Sequence, residues 1–330
     1  MLLRHINLFL IPFGARLQCW PLLVVYVFIC GRLKKIVIKM KKFATPLRYP
    51  GGKGKFSQFV KQVFEANGLL DGHYLEPYAG GAGVAIELLF NEYASKIHIN
   101  DYDPAVYAFW VSVKEHNDDL CKLISDTPVT IDNWHVQKNV LANVEEYSTL
   151  DVAFATFFLN RTNRSGILKA GVIGGKEQSG KWKLDVRYNK KDLIKRIELI
   201  GRYKERIFVY NMDAVQLVRE VVPTLPKKTL IYLDPPYYVK GSGLYRNFYN
   251  HDDHVEIAAT MANVRHPWIV SYDDVPEIRE IYKDYRQDSY FLSYTAQEKR
   301  KGSEVMIYGP DVEIPSKDFL HKNMPLKLAV

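Results

Sequence analysis

Apolar and polar positions along this chain follow two alternating patterns. Short apolar runs rich in β-branched and aromatic residues stop abruptly at turn residues, as buried strands do. Longer stretches repeat apolar positions every three to four residues, as helices do. The runs predict a strand leading from Tyr74 into a tight turn at Gly80–Gly83, then strands at 96–100, 207–210, 229–233, 268–271, 289–295 and 304–308. Helical periodicity covers 56–66 and 84–90, and runs from about Pro104 to Arg202, interrupted by a Gly-rich stretch at 166–182. Strands that alternate with helices imply a largely parallel sheet, so the expected class is α/β. The mainly helical block 111–206 reads as an insertion between the second and third strands. The expected organisation is an extension at 1–42, a first sheet segment at 43–110, the insert at 111–206 and a second sheet segment at 207–330. No internal repeat or low-complexity tract interrupts it.

The run at 229–233 ends in Asp234-Pro235-Pro236-Tyr237. Prolines have no N–H to donate, so they end the ladder and force the chain out at the carboxyl end of the strand, where open α/β sheets bind ligands. The chain there presents a carboxylate, a carbonyl that no ladder claims and a flat ring. Together they can accept two hydrogen bonds from a planar amino group while the ring stacks on its base. An ordinary strand-ending turn uses the same residue types.

Gly80-Gly81-Ala82-Gly83 follows the first strand and opens a helix, so its N–H groups can approach a ligand closely. Nicotinamide and flavin binders use similar turns. The neighbours discriminate. Asp101 ends the next strand, where an acid can take two ribose hydroxyls. Glu76, just before the turn, offers a carboxylate to a cationic amino group. This acidic pocket suits an adenosine without phosphates, such as S-adenosylmethionine, better than a pyrophosphate. Asp213, after the strand at 207–210, is placed to reach the adenine ring of such a cofactor. Asp273 and Asp274 end a further strand beside the same pocket.

Charge sharpens the reading of the insert. The formal net charge is +8, but residues 1–42 hold eight Lys/Arg and no acid, so the remainder balances at 37 basic against 37 acidic residues. Within that remainder, 160–206 carries fourteen Lys/Arg against five Asp/Glu, a patch suited to a phosphate backbone. A solvated helix face is the plainer alternative. The three cysteines, Cys19, Cys30 and Cys121, make no disulfide framework and no metal spacing, which fits a reducing cytoplasm and a metal-free site. Residues 17–30 are apolar, contain Pro21 and are short for a membrane span. A secretory signal lacks its small-residue cleavage site here. The favoured reading is that Met40 is the natural start, because Met40-Lys41-Lys42-Phe43-Ala44-Thr45 opens directly into the first motif. No membrane association is expected.

Four motifs occur in order: Pro46-Leu47-Arg48-Tyr49-Pro50-Gly51-Gly52-Lys53, Leu75-Glu76-Pro77-Tyr78-Ala79-Gly80-Gly81, Phe158-Leu159-Asn160-Arg161-Thr162-Asn163-Arg164-Ser165-Gly166, and Asp234-Pro235-Pro236-Tyr237. This set resembles the Dam-like class of adenine-specific DNA methyltransferases, over roughly residues 43–310. The resemblance implies a seven-stranded Rossmann-like sheet with an inserted, mainly helical target-recognition domain. It implies S-adenosylmethionine contacts from Tyr49, Lys53, Asp101 and Asp234, and a flipped adenine held by Asp234, Pro235, Pro236 and Tyr237. The implied activity is methyl transfer to adenine N6 in duplex DNA. The partners expected are double-stranded DNA and, as one option, a cognate restriction endonuclease. Arg161, Asn163, Arg164, Lys181, Lys183 and Arg187 are the DNA-binding candidates, on a Gly-rich hairpin entering a groove, with Asn160 and Ser165 at its base. The stretch 167–187 is not a close match to the Dam recognition hairpin, so a GATC target does not follow. Cytosine N4 or RNA as acceptor, and a non-catalytic DNA-binding scaffold, are the competing functions; the acid at 234 and the intact motifs favour the first reading.

Overall fold

The computed structural model describes residues 22–29, 32–39, 45–48, 56–239, 249–292 and 302–315. The chain divides into two compact units, residues 1–44 and 45–330. The first contains β1 (Leu22–Ile29) and β2 (Arg32–Lys39), paired antiparallel from Leu22↔Lys39 to Ile29↔Arg32. The apolar stretch 17–30 thus contributes a β-strand, in keeping with its run of Val, Tyr, Phe and Ile. Among the described residues, no helix is long and apolar enough to cross a membrane.

The second unit is built on α1 (Ser57–Ala66), β3 (Gly72–Glu76), α2 (Gly83–Phe90), β4 (Ala94–Asn100), α3 (Pro104–Glu115), α4 (Asn117–Asp126), α5 (Ile131–Ala142), α6 (Thr149–Thr162), α7 (Lys190–Gly201) and β5 (Ile207–Tyr210). It continues through α8 (Ala214–Glu220), β6 (Thr229–Leu233), α9 (His251–Met261), β7 (Trp268–Asp273), α10 (Pro276–Ile281), β8 (Arg286–Leu292) and β9 (Gly302–Tyr308). The seven strands of this unit lie in the order β5-β4-β3-β6-β7-β9-β8. The first five run parallel, and β9 pairs antiparallel with both β7 and β8. The fold is the expected α/β class with a mixed seven-stranded sheet.

The sheet is buried on both faces, which is why its central strands read as unbroken apolar runs. Leu75, Ile231, Leu233 and Val270 pack on one side against Leu217, Ile257, Met261 and Ile278 from α8, α9 and α10. On the other side Tyr74 and Tyr308 meet Phe64 and Phe59 of α1, with ring centroids 6.1 and 6.5 Å apart. Each such fully buried side chain is worth about 1.5–3 kcal/mol.

Strand boundaries differ from expectation by two residues at β3, β4, β7 and β9, and by three at the start of β8. The last hairpin was expected to start at Ser289, yet β8 begins at Arg286 and its described part ends at Leu292; residues 293–295 lie outside the described residues. An edge strand keeps polar residues, and Gln287 uses its amide to cap the preceding helix region, donating to Arg279 O (3.1 Å) and Tyr282 O (2.7 Å). That polarity hides the strand start.

Residue 111, the expected edge of the insert, falls inside α3. Asp103 caps that helix through Ala105 N (2.9 Å), with Pro104 at its first position, and Trp110 donates from its ring nitrogen to Gly80 O at 2.9 Å. The start of the helical block is therefore part of the wall behind the Gly turn. α6 is buried around most of its circumference, consistent with a central helix.

Candidate active site

The five parallel strands all deliver an acid to their carboxyl ends: Glu76 on β3, Asp101 after β4, Asp213 after β5, Asp234 after β6 and Asp273 on β7. This edge is where ligands of open α/β sheets bind. Sequence reasoning named each of these acids, and the sheet order brings them to one side.

Asp101 is half-buried, and its two carboxylate oxygens accept from Gly80 N and Asp103 N, both at 2.9 Å. Burial raises its pKa to about 7, against those two hydrogen bonds. An ionised carboxylate offers about four acceptor positions, and the backbone takes two of them. The rest suit a pair of hydroxyls. The Gly turn is tight: Gly80 (φ +46°) and Ala82 (φ +44°) both lie in the left-handed region, and Ala82 N donates to Ala79 O at 2.6 Å. An alanine held there stores strain next to the binding edge. Glu76 is buried and accepts from the Tyr74 hydroxyl (2.9 Å), two residues back on the same strand face. Burial, with Glu76 next in size, holds that tyrosine well above its ordinary pKa. Asp213 is exposed and caps α8 through Val215 N (2.8 Å) and Gln216 N (3.2 Å).

Asp234 accepts from Ser271 Oγ at 2.7 Å, and the Tyr232 hydroxyl lies 2.8 Å from the same oxygen. Neighbouring strands β6 and β7 thereby fix the carboxylate's orientation. Pro235 is buried, and Pro236 and Tyr237 are half-buried. The Tyr237 hydroxyl donates to Glu304 Oε1, while Tyr290 donates to Glu304 Oε2, each at 2.5 Å. Tyr237 is thus anchored at its tip by a carboxylate buried on β9. Beyond it, Asp273 receives Tyr238 N (2.8 Å) and Val239 N (3.0 Å), one on each oxygen, locking the turn that leaves the motif. Asp274 instead binds Arg279, Ser289 and Ser303, tying β7 to the last hairpin; those hydrogen bonds outweigh its burial and hold its pKa low.

Several positioning residues were not legible beforehand. Buried Asn100 donates to Pro77 O (2.8 Å) and Met212 O (3.0 Å) and accepts from Met212 N (2.9 Å), so one amide clips the loops after β3 and β5 together. Asn160 accepts from Arg48 N (2.7 Å) and donates to Arg48 O (2.8 Å) and Gly166 O (2.9 Å). Its amide pins the loop at 45–48, whose Thr45 hydroxyl in turn donates to Gly81 O at 2.5 Å. Asn160 was expected at the base of the recognition hairpin and instead braces this loop from a buried position; Asn100 and the strand-end serine Ser271 carried no signal beyond polarity within an apolar run. Tyr49 and Lys53 lie outside the described residues.

On the insert, Arg164, Lys181, Lys183 and Arg187 are exposed. Arg161 is half-buried and donates through Nε and Nη2 to Arg187 O; burial, with Arg48, Arg196 and Arg187 nearby, lowers its pKa to about 9. Asn163 departs from expectation. It is fully buried, accepts from the Trp134 ring nitrogen (2.7 Å) and donates to Ile167 O (3.1 Å) and Leu168 O (3.0 Å), so it braces the loop from inside instead of facing a base. The expected hairpin is short, with one antiparallel bridge at Asn163↔Val172.

A family model for D12 class N6 adenine-specific DNA methyltransferases matches residues 49–300, most of the chain. The chain belongs to that family. It is accordingly an S-adenosylmethionine-dependent methyltransferase, and the chemistry of the strand-end acids and of the tight turn at Gly80 is compatible with that co-substrate. Among the described residues, no cluster of three or more His, Cys, Asp or Glu is placed to hold a metal ion. No match was found among curated proteins. Similar solved structures include an S-adenosylmethionine-dependent methyltransferase from Agrobacterium tumefaciens, at 7% identity over 89% of this chain and 71% of that one, with a TM-score of 0.37. A putative class I S-adenosylmethionine-dependent methyltransferase from Listeria monocytogenes shares 10% identity over 80% of this chain and 62% of that one, with a TM-score of 0.34.

Proposed function

We propose that this methyltransferase acts on duplex DNA at a specific sequence, methylating N6 of an adenine that has rotated out of the stack. The observation that carries the reading is the Asp234–Tyr237 turn, whose carboxylate is oriented by Ser271 and whose aromatic ring is tethered by Glu304. The adenine amino lone pair is delocalised into the ring. Accepting its two hydrogens at Asp234 and the Pro235 carbonyl favours a pyramidal nitrogen and aims its lone pair at the methyl group. The N–C bond forms as the S–C bond breaks, the sulfonium becomes a thioether, and the proton on nitrogen leaves to solvent. Asp234 acts as an acceptor that positions the amine, not as a strong base. Pro236 fixes the turn, and Tyr237 stacks on the base.

In this reading Tyr49, Lys53, Glu76, Gly80, Asp101, Asp213 and Asp234 line the S-adenosylmethionine site. Anionic contacts close to the sulfonium are not catalytic in themselves, because its charge disappears in the transition state. The block 111–206 reads the target, with Arg161, Arg164, Lys181, Lys183 and Arg187 on the DNA and Asn163 supporting them from within. A partner restriction endonuclease rests on the family resemblance. Incubating the purified protein with methyl-labelled S-adenosylmethionine and unmethylated duplex DNA tests the function. Label in N6-methyladenine is expected. Label in N4-methylcytosine, or no label in the DNA, contradicts it.

A further inference from the structure

Two turns must meet for the proposed reaction, and one buried histidine stands between them. The turn after β3 runs through Tyr78 to Gly80, and the turn after β6 carries Asp234–Tyr237. His254, in the first turn of α9, is 0% exposed. Its ring centroid lies 5.2 Å from that of Tyr238, 5.4 Å from Tyr249 and 5.4 Å from Tyr272. Tyr238 directly follows the clamp, and its N–H donates to Asp273 at 2.8 Å. Tyr249 reaches the other turn. Its hydroxyl lies 2.9 Å from the Tyr78 hydroxyl, with the two rings edge-on at 77°. Tyr78, Tyr249, His254 and Tyr238 thus make one continuous contact from the Gly turn to the clamp.

His254 is fixed where it stands. Asn250 and Asp253 form a capping box at the start of α9, and His254 Nδ1 lies 3.0 Å from the Tyr272 hydroxyl on β7. That bond sets the ring's rotation, so the imidazole meets Tyr238 and Tyr249 at once. Nε2 is buried and has no hydrogen-bond partner among the described residues. A phenylalanine would fill the same space without burying a nitrogen, so packing alone does not select histidine. Methyl transfer is sensitive to spacing, because sulfur, methyl and nitrogen must be held in line close to contact. The strands end before either turn, so the turns need a connection of their own.

We propose that His254 is a positioning residue for methyl transfer, holding the Gly turn and the amino-group clamp at the spacing the reaction needs. The proposal rests on the DNA reading above, with the methyl donor at the Gly turn. His254 touches no reacting atom; it acts through Tyr249 and Tyr238.

The test measures kcat and both KM values with labelled S-adenosylmethionine and unmethylated duplex DNA. H254A is expected to lower kcat about ten- to a hundredfold, with each KM within about threefold of wild type, because either ligand keeps its own turn. H254F and Y78F each retain an aromatic ring and should lower kcat about three- to tenfold. Their double variant should fall little below the weaker single one, since both loosen the same bridge. These two variants decide the matter if H254A does not fold. A kcat within about twofold of wild type in H254A and H254F, losses confined to KM, or losses that multiply in the double variant overturn the proposal. Wild-type protein that labels no DNA overturns the DNA reading and this proposal with it. Wild-type labelling with indifferent His254 variants overturns the positioning role alone.

Discussion

Asp101 shows how one residue's environment sets a pH dependence. Burial raises its pKa to about 7, so the folded state holds this proton more tightly than the unfolded chain, whose carboxyl titrates near 3.8. Its own contribution to stability is therefore greatest below pH 3.8 and declines as pH rises to about 7. In the proposed reading Asp101 accepts from ribose hydroxyls as a carboxylate, the stronger acceptor, so binding runs the other way. The dissociation constant for S-adenosylmethionine should rise as pH falls below 7, approaching about tenfold per unit. Calorimetric titration between pH 8 and 6 checks this, and Asp101→Asn should bind weakly with a flat profile. A wild-type profile that is already flat would remove Asp101 from the site. Asp101 and Asp234 were legible because strand-terminal acids stand out against apolar runs. Ser271, Asn100 and Glu304 were not, because their importance comes from partners on other strands.

Elements are held in register by buried amides. Asn160 meets one backbone N–H and two carbonyls, and this set fixes which end of the amide faces which partner. Asn160→Ala leaves the buried Gly166 O without that partner, at about 1–3 kcal/mol, and frees the half-buried Arg48 N and O at less cost. Asn160→Asp keeps the acceptor but turns a second oxygen toward two carbonyls, so it should be at least as destabilising in urea titration. Either variant also releases the loop at 45–48 from α6, and should weaken S-adenosylmethionine binding more than other core changes of equal cost. Gly72 makes a second element-level demand. A Cβ there would lie 2.2 Å from Lys228 O, beside the His73 N to Lys228 O bond that opens the β3–β6 pairing. Gly72→Ala should cost about 1–3 kcal/mol by thermal melting. Strand existence and order could be read from the apolar runs; the start of β8 could not, because an edge strand shares the polar composition of a loop.

At the scale of the molecule, two buried histidines govern acid sensitivity. Burial is the main cause that lowers the pKa of His98 and of His254 to about 4. His98 lies 3.1 Å from His73 Nδ1 and 2.9 Å from the Tyr210 hydroxyl, and His254 lies 3.0 Å from the Tyr272 hydroxyl. Their folded values are depressed, so the stability they contribute is present above the ordinary value of 6.5 and is lost as pH falls toward 4. Each accounts for at most about 3 kcal/mol, and Asp101 opposes them throughout the same window with a single group against two. The melting temperature should fall between pH 6.5 and 4.5, and a His98→Phe/His254→Phe variant should fall less steeply. The family match begins at residue 49, beyond the β1–β2 unit. A protein starting at Met40 should therefore keep methyl transfer, which a side-by-side assay with the full chain checks.

Asp234 is the centre of the proposed chemistry, and one comparison bears on it most directly: methyl transfer to DNA by Asp234→Ala against DNA affinity of the same variant. Loss of the amine's acceptor should lower transfer at least about a hundredfold, while affinity stays within about threefold, since the basic insert is untouched. Near-normal turnover in Asp234→Ala would contradict the amino-group clamp.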